Sequence, residues 1–293
     1  MARPFALRIP RRVPAHVRGI LWMLLSVTAF TGVLIIGRHV TQDMHPFEAL
    51  FLRSIFMIAF MLPWLARRGL GAMRTGRIGA YALRGVLAAT NMTFLFFAVS
   101  LIPVADLTAI VFIRPMFVAV LAMLILGEMV GPRAWIAILV GFAGAMVVVR
   151  PGFAEVNAGA LLALASAATA ALTFVLVKNL TRTEAPDVIA FYQPVFVLPI
   201  AGVATLFVWT APTEWDLFWC AGLGFLAVVT HRAMNRAFAA TDLTLLQPLD
   251  FMRLPIAALL GFLAFGEVPD LFVWVGGAVI FAASIYGSRR LAS

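Results

Sequence analysis

The chain has 293 residues, 63% of them hydrophobic and only 12% charged, with a mean hydropathy of +1.02. Soluble domains run roughly 45–50% apolar and about 25% charged, so this chain cannot cover a wet surface and the solvent implied is lipid. The net charge of +9 lies in short arginine groups between apolar runs, which excludes a basic nucleic-acid face. A lone cysteine, Cys220, excludes a disulfide scaffold and reads as a small buried hydrophobe.

A spanning helix needs about 20 mainly apolar residues. Such runs occupy 19–40, 47–66, 78–100, 104–126, 133–149, 158–178, 188–209, 217–239, 243–265 and 271–287. They are too long for strands of a membrane barrel. The fold class is therefore all-α, a polytopic membrane protein of ten transmembrane helices. Short joints at Pro46, Pro103, Pro132, Pro186, Pro212 and Pro269 leave no room for a soluble domain. Residues 1–18 form a basic segment with Arg3, Arg8, Arg11, Arg12 and Arg18. The apolar run after it is too long for a cleavable leader and is followed by Arg38 and His39, so it reads as a retained first helix.

Basic residues fix the orientation. With the N-terminus inside, one side holds those five arginines, Arg67, Arg68, Arg74, Arg77, Arg133, Lys178, Arg182, Arg289 and Arg290, whereas the other holds Arg38 and Arg150. Both termini are expected on the cytoplasmic face of a bacterial inner membrane.

The two halves repeat. Gly19, Ser26, Arg38, Pro46 and Phe51 match Gly159, Ser166, Lys178, Pro186 and Phe191, each 140 positions on. Arg114, Gly127, Glu128 and Trp135 match Arg253, Gly266, Glu267 and Trp274, each 139 on. The segment at Asp106 recurs at Asp242, and three more residues separate Asp242 from Arg253 than Asp106 from Arg114. Units of 19–150 and 158–288 result. Five helices per unit is odd, so the second enters the membrane inverted, the architecture of secondary transporters with a site near the midplane.

The pattern Arg114-Pro115 … Leu126-Gly127-Glu128, repeated as Arg253-Leu254-Pro255 … Phe265-Gly266-Glu267, resembles the drug/metabolite transporter superfamily, in its EamA-type ten-helix branch. That resemblance implies a basket of helices around a central cavity lined mainly by helices 1, 3, 4, 6, 8 and 9. It also implies export or import of amino acids, other metabolites or drugs.

Charged groups within the apolar runs are the candidate site residues, because each arginine there costs roughly 2.5–3.5 kcal/mol unless paired or wet. Arg53 and Arg84 lie near enough to helix ends to snorkel. Arg114 and Arg253 lie deeper. They either bond carbonyls freed by Pro115, Pro248 and Pro255 or line the cavity and hold a substrate carboxylate. Asp250 sits three residues before Arg253, on the same helix face. The expected assignment makes Arg253 the structural partner of Asp250 and leaves Arg114 free for substrate. Asp106 and Asp242 are expected to cap helices 4 and 9.

On helix 8, His231 and Asn235 share a face, and Arg232 and Arg236 point to the cytoplasmic headgroups. His231 either binds ligand, carries a proton, or stays neutral and bonded to Asn235. Asn91 is interhelical glue or a cavity donor. Phe94, Phe112 and Gln247 complete the cavity candidates, while the small-residue stripes Ala137-Gly141-Ala145 and Ala163-Ala167-Ala171 read as packing surfaces.

No metal-ligand cluster, Gly-x-Ser-x-Gly or phosphate loop is present, so neither an enzyme nor a cofactor is expected. The partners expected are a small-molecule substrate and the lipid bilayer, and the pattern is compatible with a monomer. The reading is a secondary transporter, with amino-acid export including aromatic and apolar amino acids as its leading form. Carriage of another metabolite, a drug or a nucleotide sugar is its alternative. With Cys220 replaced by Ala, cysteines introduced at 210–215 should react with an impermeant maleimide from outside and those at 68–76 should not. The reverse labelling would overturn both the orientation and the inverted repeat.

Overall fold

The computed structural model describes residues 14–101, 110–149, 158–253, 256, 259 and 271–288. The first half holds α1 (Ala15–Asp43), α2 (Pro46–Arg68), α3 (Ile78–Leu101), α4 (Arg114–Leu121, continued by a π-helical turn Ala122–Leu126) and α5 (Pro132–Val149). The second holds α6 (Ala158–Leu180), α7 (Pro186–Thr205), α8 (Glu214–Ala240), α9 (Leu243–Asp250) and α10 (Leu271–Ser288). Among the described residues the protein is all-α, with ten α-helices. Among the described residues, Ala15–Gly37, Pro46–Arg68, Ala158–Leu180, Pro186–Thr205 and Glu214–Ala240 are long and apolar enough to cross a membrane. Arg114–Leu126, Pro132–Gly144 and Trp274–Ala283 are shorter apolar helices. Arg3, Arg8, Arg11, Arg12, Pro103, Asp106, Arg150, Leu254, Pro255, Phe265, Gly266, Glu267, Pro269, Arg289 and Arg290 lie outside the described residues.

The packing exchanges the two halves. α1 packs on α8 as α6 packs on α3; α2 meets α8 as α7 meets α3; α4 meets α6 as α9 meets α1. The pairs α2–α7, α4–α9 and α5–α10 are their own counterparts. This is the self-complementary arrangement of a two-fold interface, built within one chain. The details repeat as well. Ser26 Oγ donates to the Thr230 carbonyl at 3.0 Å, and in the mirrored place Asn91 Nδ2 donates to the Ser166 carbonyl at 2.7 Å.

Two of the expected spans are interrupted. A turn at Phe112–Ile113 precedes Arg114, and a turn at Phe251–Met252 precedes Arg253, in places 139 residues apart. Pro115 and Pro248 lie beside these turns, and a proline both lacks an N–H and crowds the preceding turn of helix. Phe112 and Phe251 stack there with ring centroids 5.7 Å apart. The seventh span also ends early. Its apolar run continues to Trp209, yet α7 stops at Thr205. Thr205 Oγ1 donates to the Phe47 carbonyl at 3.1 Å and the Thr210 N–H and hydroxyl donate to the buried Glu48 carboxylate, so this end of the chain folds onto the start of α2.

The small-residue stripes pack as read. Ala163, Ala167, Ala171 and Ala137 are fully buried, and the Phe251 ring lies over Gly141. Cys220 is likewise buried, with Val40, Leu52 and Leu223 around it. The closest helix approaches use a related glycine pair. A Cβ on Gly85 would lie 2.6 Å from the Phe196 Cβ, and one on Gly224 would lie 2.5 Å from the Phe56 Cβ and 3.1 Å from the Met57 nitrogen. Gly85→Ala and Gly224→Ala should each destabilise by about 1–3 kcal/mol, with Gly224→Ala the worse because backbone opposes it. Gly79→Ala, with nothing within 4 Å, should be neutral or better in the same detergent melts.

Candidate functional site

Between the halves lies a cavity of about 460 Å³. Its charged lining is Arg53 from α2, Arg84 from α3, Arg114 from α4, His231 from α8, and Asp250 and Arg253 from α9 and the turn after it. α1, α3, α4, α6, α8 and α9 all contribute, as the family resemblance implies, and α2 and α7 add Arg53, Gln193 and Val197. The remaining surface is mainly apolar and includes Phe30 from α1 and Phe174 from α6.

Asp250 is 1% exposed and accepts from two cations. Arg253 Nη2 donates to its Oδ1 at 2.9 Å, and Arg114 Nη2 donates to its Oδ2. The expected local Asp250–Arg253 pair is therefore present, but Arg114 is not free. Crossing of α4 and α9 at their paired turns brings it onto the same carboxylate from the other repeat, a contact that no spacing within one helix reveals. Each guanidinium also lies over a ring from the first helix of the opposite half: Arg253 over Phe30 at 4.3 Å, Arg114 over Phe174 at 4.9 Å. Such contacts contribute up to about 2 kcal/mol when dry.

Arg53 and Arg84 do not snorkel. Both line the cavity; Arg84 is 2% exposed and donates to the Ile189 carbonyl at 2.6 Å. Arg53 Nη2 lies 3.5 Å from His231 Nε2. The absence of any acid within a turn of either arginine was the available signal, outweighed by their closeness to helix ends.

The other candidates divide. Asn91 and His231 line the cavity, and Asn91 also ties α3 to α6 through the Ser166 carbonyl and hydroxyl. Asn235 and Gln247 are fully buried outside it, donating to the Pro186 and Leu243 carbonyls at 3.1 Å each. Asn235 lies one helical turn beyond His231, past the cavity and against the start of α7, so the two do not pair. Phe112 belongs to the stacked pair at the repeat junction, and Phe94 is half-buried away from the cavity. Arg232 and Arg236, expected among headgroups, instead bind Asp187 at 2.7 and 3.0 Å, with Arg236 over Trp22.

Asp242 stands at the start of α9, but its side chain makes no cap bond. Glu128 of the other repeat takes that role, accepting from the N–H groups of Leu243 and Thr244 at 3.0 and 3.1 Å. Gly127, left-handed at φ 67°, ends the π-helical turn and turns the chain so that Glu128 reaches across. Lys178 Nζ bonds the carbonyls of Phe238 and Thr241 at the end of α8, and Arg182 Nη2 bonds that of Leu126 at 2.9 Å. Carboxylate at a helix start and cations at helix ends both suit the helix dipoles.

Asp250→Asn leaves both cations without a counter-charge and should cost about 3–5 kcal/mol of stability. Arg253→Gln leaves the Arg114 pair and should cost less. In a thermal double-mutant cycle, Asp250→Asn with Arg114→Gln should be less damaging than the two single losses added. Additive losses would show that the two side chains do not act on each other.

The comparisons with known proteins follow the same division of the chain. The EamA-like transporter family matches residues 17–150 and again 157–288. A riboflavin transporter of Rhizobium johnstonii is 34% identical over 93% of this chain and 91% of its own length. An S-adenosylmethionine uptake transporter of Rickettsia prowazekii is 26% identical over 92% of each chain, and a pseudopaline exporter of Pseudomonas aeruginosa 26% identical over 92% of this chain and 96% of its own. A crystal structure at 19% identity superposes with a TM-score of 0.78 over 95% of this chain and 99% of that one, a likeness of fold.

Proposed function

Because the chain belongs to the EamA-like transporter family of the drug/metabolite transporter superfamily, we propose that its cavity carries a neutral or anionic metabolite with a flat aromatic ring system, a flavin in the first instance. It is a multi-pass membrane protein and a secondary transporter of small metabolites, not an enzyme. The relatives carry riboflavin, S-adenosylmethionine and pseudopaline, so the amino-acid reading gives way to that of another metabolite class.

The observation that carries the proposal is the charge of the lining. Arg53, Arg84, Arg114 and Arg253 line a cavity whose one carboxylate among the described residues is Asp250. At an effective dielectric near 20, like charges 4 Å apart repel by about 4 kcal/mol, which opposes a sulfonium cation such as S-adenosylmethionine and tolerates neutral riboflavin. Size agrees: a cavity of about 460 Å³ falls among the roughly 300–1,000 Å³ pockets that enclose drug-sized ligands, and a small amino acid leaves most of it unfilled. Phe30 and Phe174 supply ring faces, already oriented by the guanidinium groups over them.

Alternating access then follows from the inverted halves rocking about the cavity, in a bacterial inner membrane with both termini cytoplasmic. The bacterial relatives and the bias of basic residues support that placement. Uptake of labelled riboflavin into a bacterial auxotroph lacking its own carrier should rise severalfold on expression of this chain. Unlabelled riboflavin should compete, and S-adenosylmethionine and leucine should not. Transport of S-adenosylmethionine or leucine without riboflavin would overturn the reading.

A further inference from the structure

Two groups of cations line the cavity, and they are not equivalent. Arg114 and Arg253 share Asp250. Among the described residues, no carboxylate pairs with Arg53 or Arg84. Arg84 spends one N–H on the Ile189 carbonyl, and Arg53 lies against the His231 ring. Their remaining donors are telling. The Nε of Arg114 and of Arg253 is buried and unmet as well, but those two cations share a carboxylate; the Nε of Arg53, the Nε of Arg84 and the Nδ1 of His231 are buried with no hydrogen-bond partner among the described residues and no carboxylate beside them. With Nε2 accepting from Arg53, a neutral His231 carries its proton on Nδ1, so all three are donors. Two cations and a donor ring in a mainly apolar wall, with no carboxylate beside them, are costly unless a cavity acceptor engages their side chains.

The repeat sharpens the point. Arg53 corresponds to Gln193, 140 positions on, and Arg84 to Leu223, 139 on, so the related place in the other half carries no charge. Both halves keep the glycines, serines and phenylalanines that pack the bundle, and Arg114 recurs as Arg253, whereas the charges of Arg53 and Arg84 occur in the first half only. Packing symmetry therefore does not require Arg53 and Arg84.

We propose that Arg53, Arg84 and His231 form an anion subsite at one end of the cavity, and that it takes the phosphate monoester of the carried metabolite. A phosphate offers three oxygens to three donors on α2, α3 and α8, where a carboxylate offers two. Arg53 and Arg84 can each engage it through two N–H groups, which a lysine cannot reproduce. Identifying the cargo as a phosphorylated flavin rests on the flavin reading above, but the subsite itself does not.

The test separates the two. Purified protein in detergent is titrated with riboflavin and with riboflavin 5′-phosphate, following quenching of flavin fluorescence. Melting is recorded in parallel with inorganic phosphate or acetate at fixed ionic strength. The phosphorylated flavin should bind at least about tenfold tighter than riboflavin, the worth of one charge-assisted hydrogen bond. Inorganic phosphate should raise the melting temperature more than acetate does. Arg53→Gln should bring the ratio of the two flavin affinities near one and remove the phosphate stabilisation. Arg84→Lys, which keeps the charge and a donor for Ile189, should lower both partly, and serves if Arg84→Gln does not fold. Equal binding of the two flavins, with no phosphate effect on wild type, overturns the subsite and leaves the flavin reading standing. Phosphate stabilisation lost in Arg53→Gln, with neither flavin bound, upholds the subsite and overturns the flavin.

Discussion

Everything in this bundle answers to the cost of holding guanidinium groups in an apolar interior. Arg114, Arg253 and Asp250 meet where α4 and α9 cross, one carboxylate serving two cations from opposite halves. The pair of turns that breaks both helices at this level is what lets the side chains converge, and Phe112 on Phe251 fills the gap behind them. Burying an ion pair seldom stabilises relative to well-packed apolar groups. Its effect is to fix the register of the two repeats, because sliding either helix strands a charge in a medium that cannot solvate it.

A second demand comes from the backbone. In lipid, helix ends have no water to satisfy their last carbonyls and first N–H groups. The chain meets this by lending side chains to neighbouring helices: across the repeat boundary, Glu128 to the start of α9 and Arg182 to the end of α4, and within the second half, Lys178 to the end of α8. Near the other ends of the helices, Glu48 receives Thr210. Gly127-Glu128 is thus a reversed cap, its acid serving the partner half rather than its own helix. The contacts of Glu128, Arg182 and Glu48 clasp the two halves together.

The helices were legible in the sequence because each is written as an uninterrupted apolar run with proline or glycine at its edge. The repeat was legible because glycine, serine and proline positions are dictated by close backbone contact, and so recur in register. Charges were harder. Asp250 with Arg253 is local and was visible at a spacing of three residues, but Arg114 finds the same acid 136 positions away. Arg53 and Arg84 looked like headgroup ligands because distance from a helix end was taken as depth. In an inverted bundle of offset helices, a residue one or two turns from its own terminus can still face the centre. Asn235 and Gln247 failed in the opposite sense, being polar groups whose partners are backbone carbonyls at helix starts. Sequence shows that a buried amide needs a partner, but not whether a ligand or a carbonyl supplies it.

The division between shared and unshared positions then gives the cavity its direction. Gly85 and Gly224, Ser26 and Ser166, and Phe56 and Phe196 occupy equivalent places and carry the packing that both orientations of the transporter must preserve. A carrier whose cavity were equally symmetric would present the same chemistry to both ends of its cargo. Here Arg53 corresponds to Gln193, and Arg84 on α3, which no carboxylate meets among the described residues, corresponds to Leu223 on α8. Arg53, Arg84 and His231 thus form a donor-rich group that no carboxylate meets among the described residues, and Phe30 and Phe174 line the same cavity. A ligand with a flat apolar body and one polar, acidic end has a single favourable way to lie in such a space. On the proposed function, the cargo keeps one orientation relative to the protein while the scaffold exchanges its faces, and selectivity resides in the few residues that break the repeat.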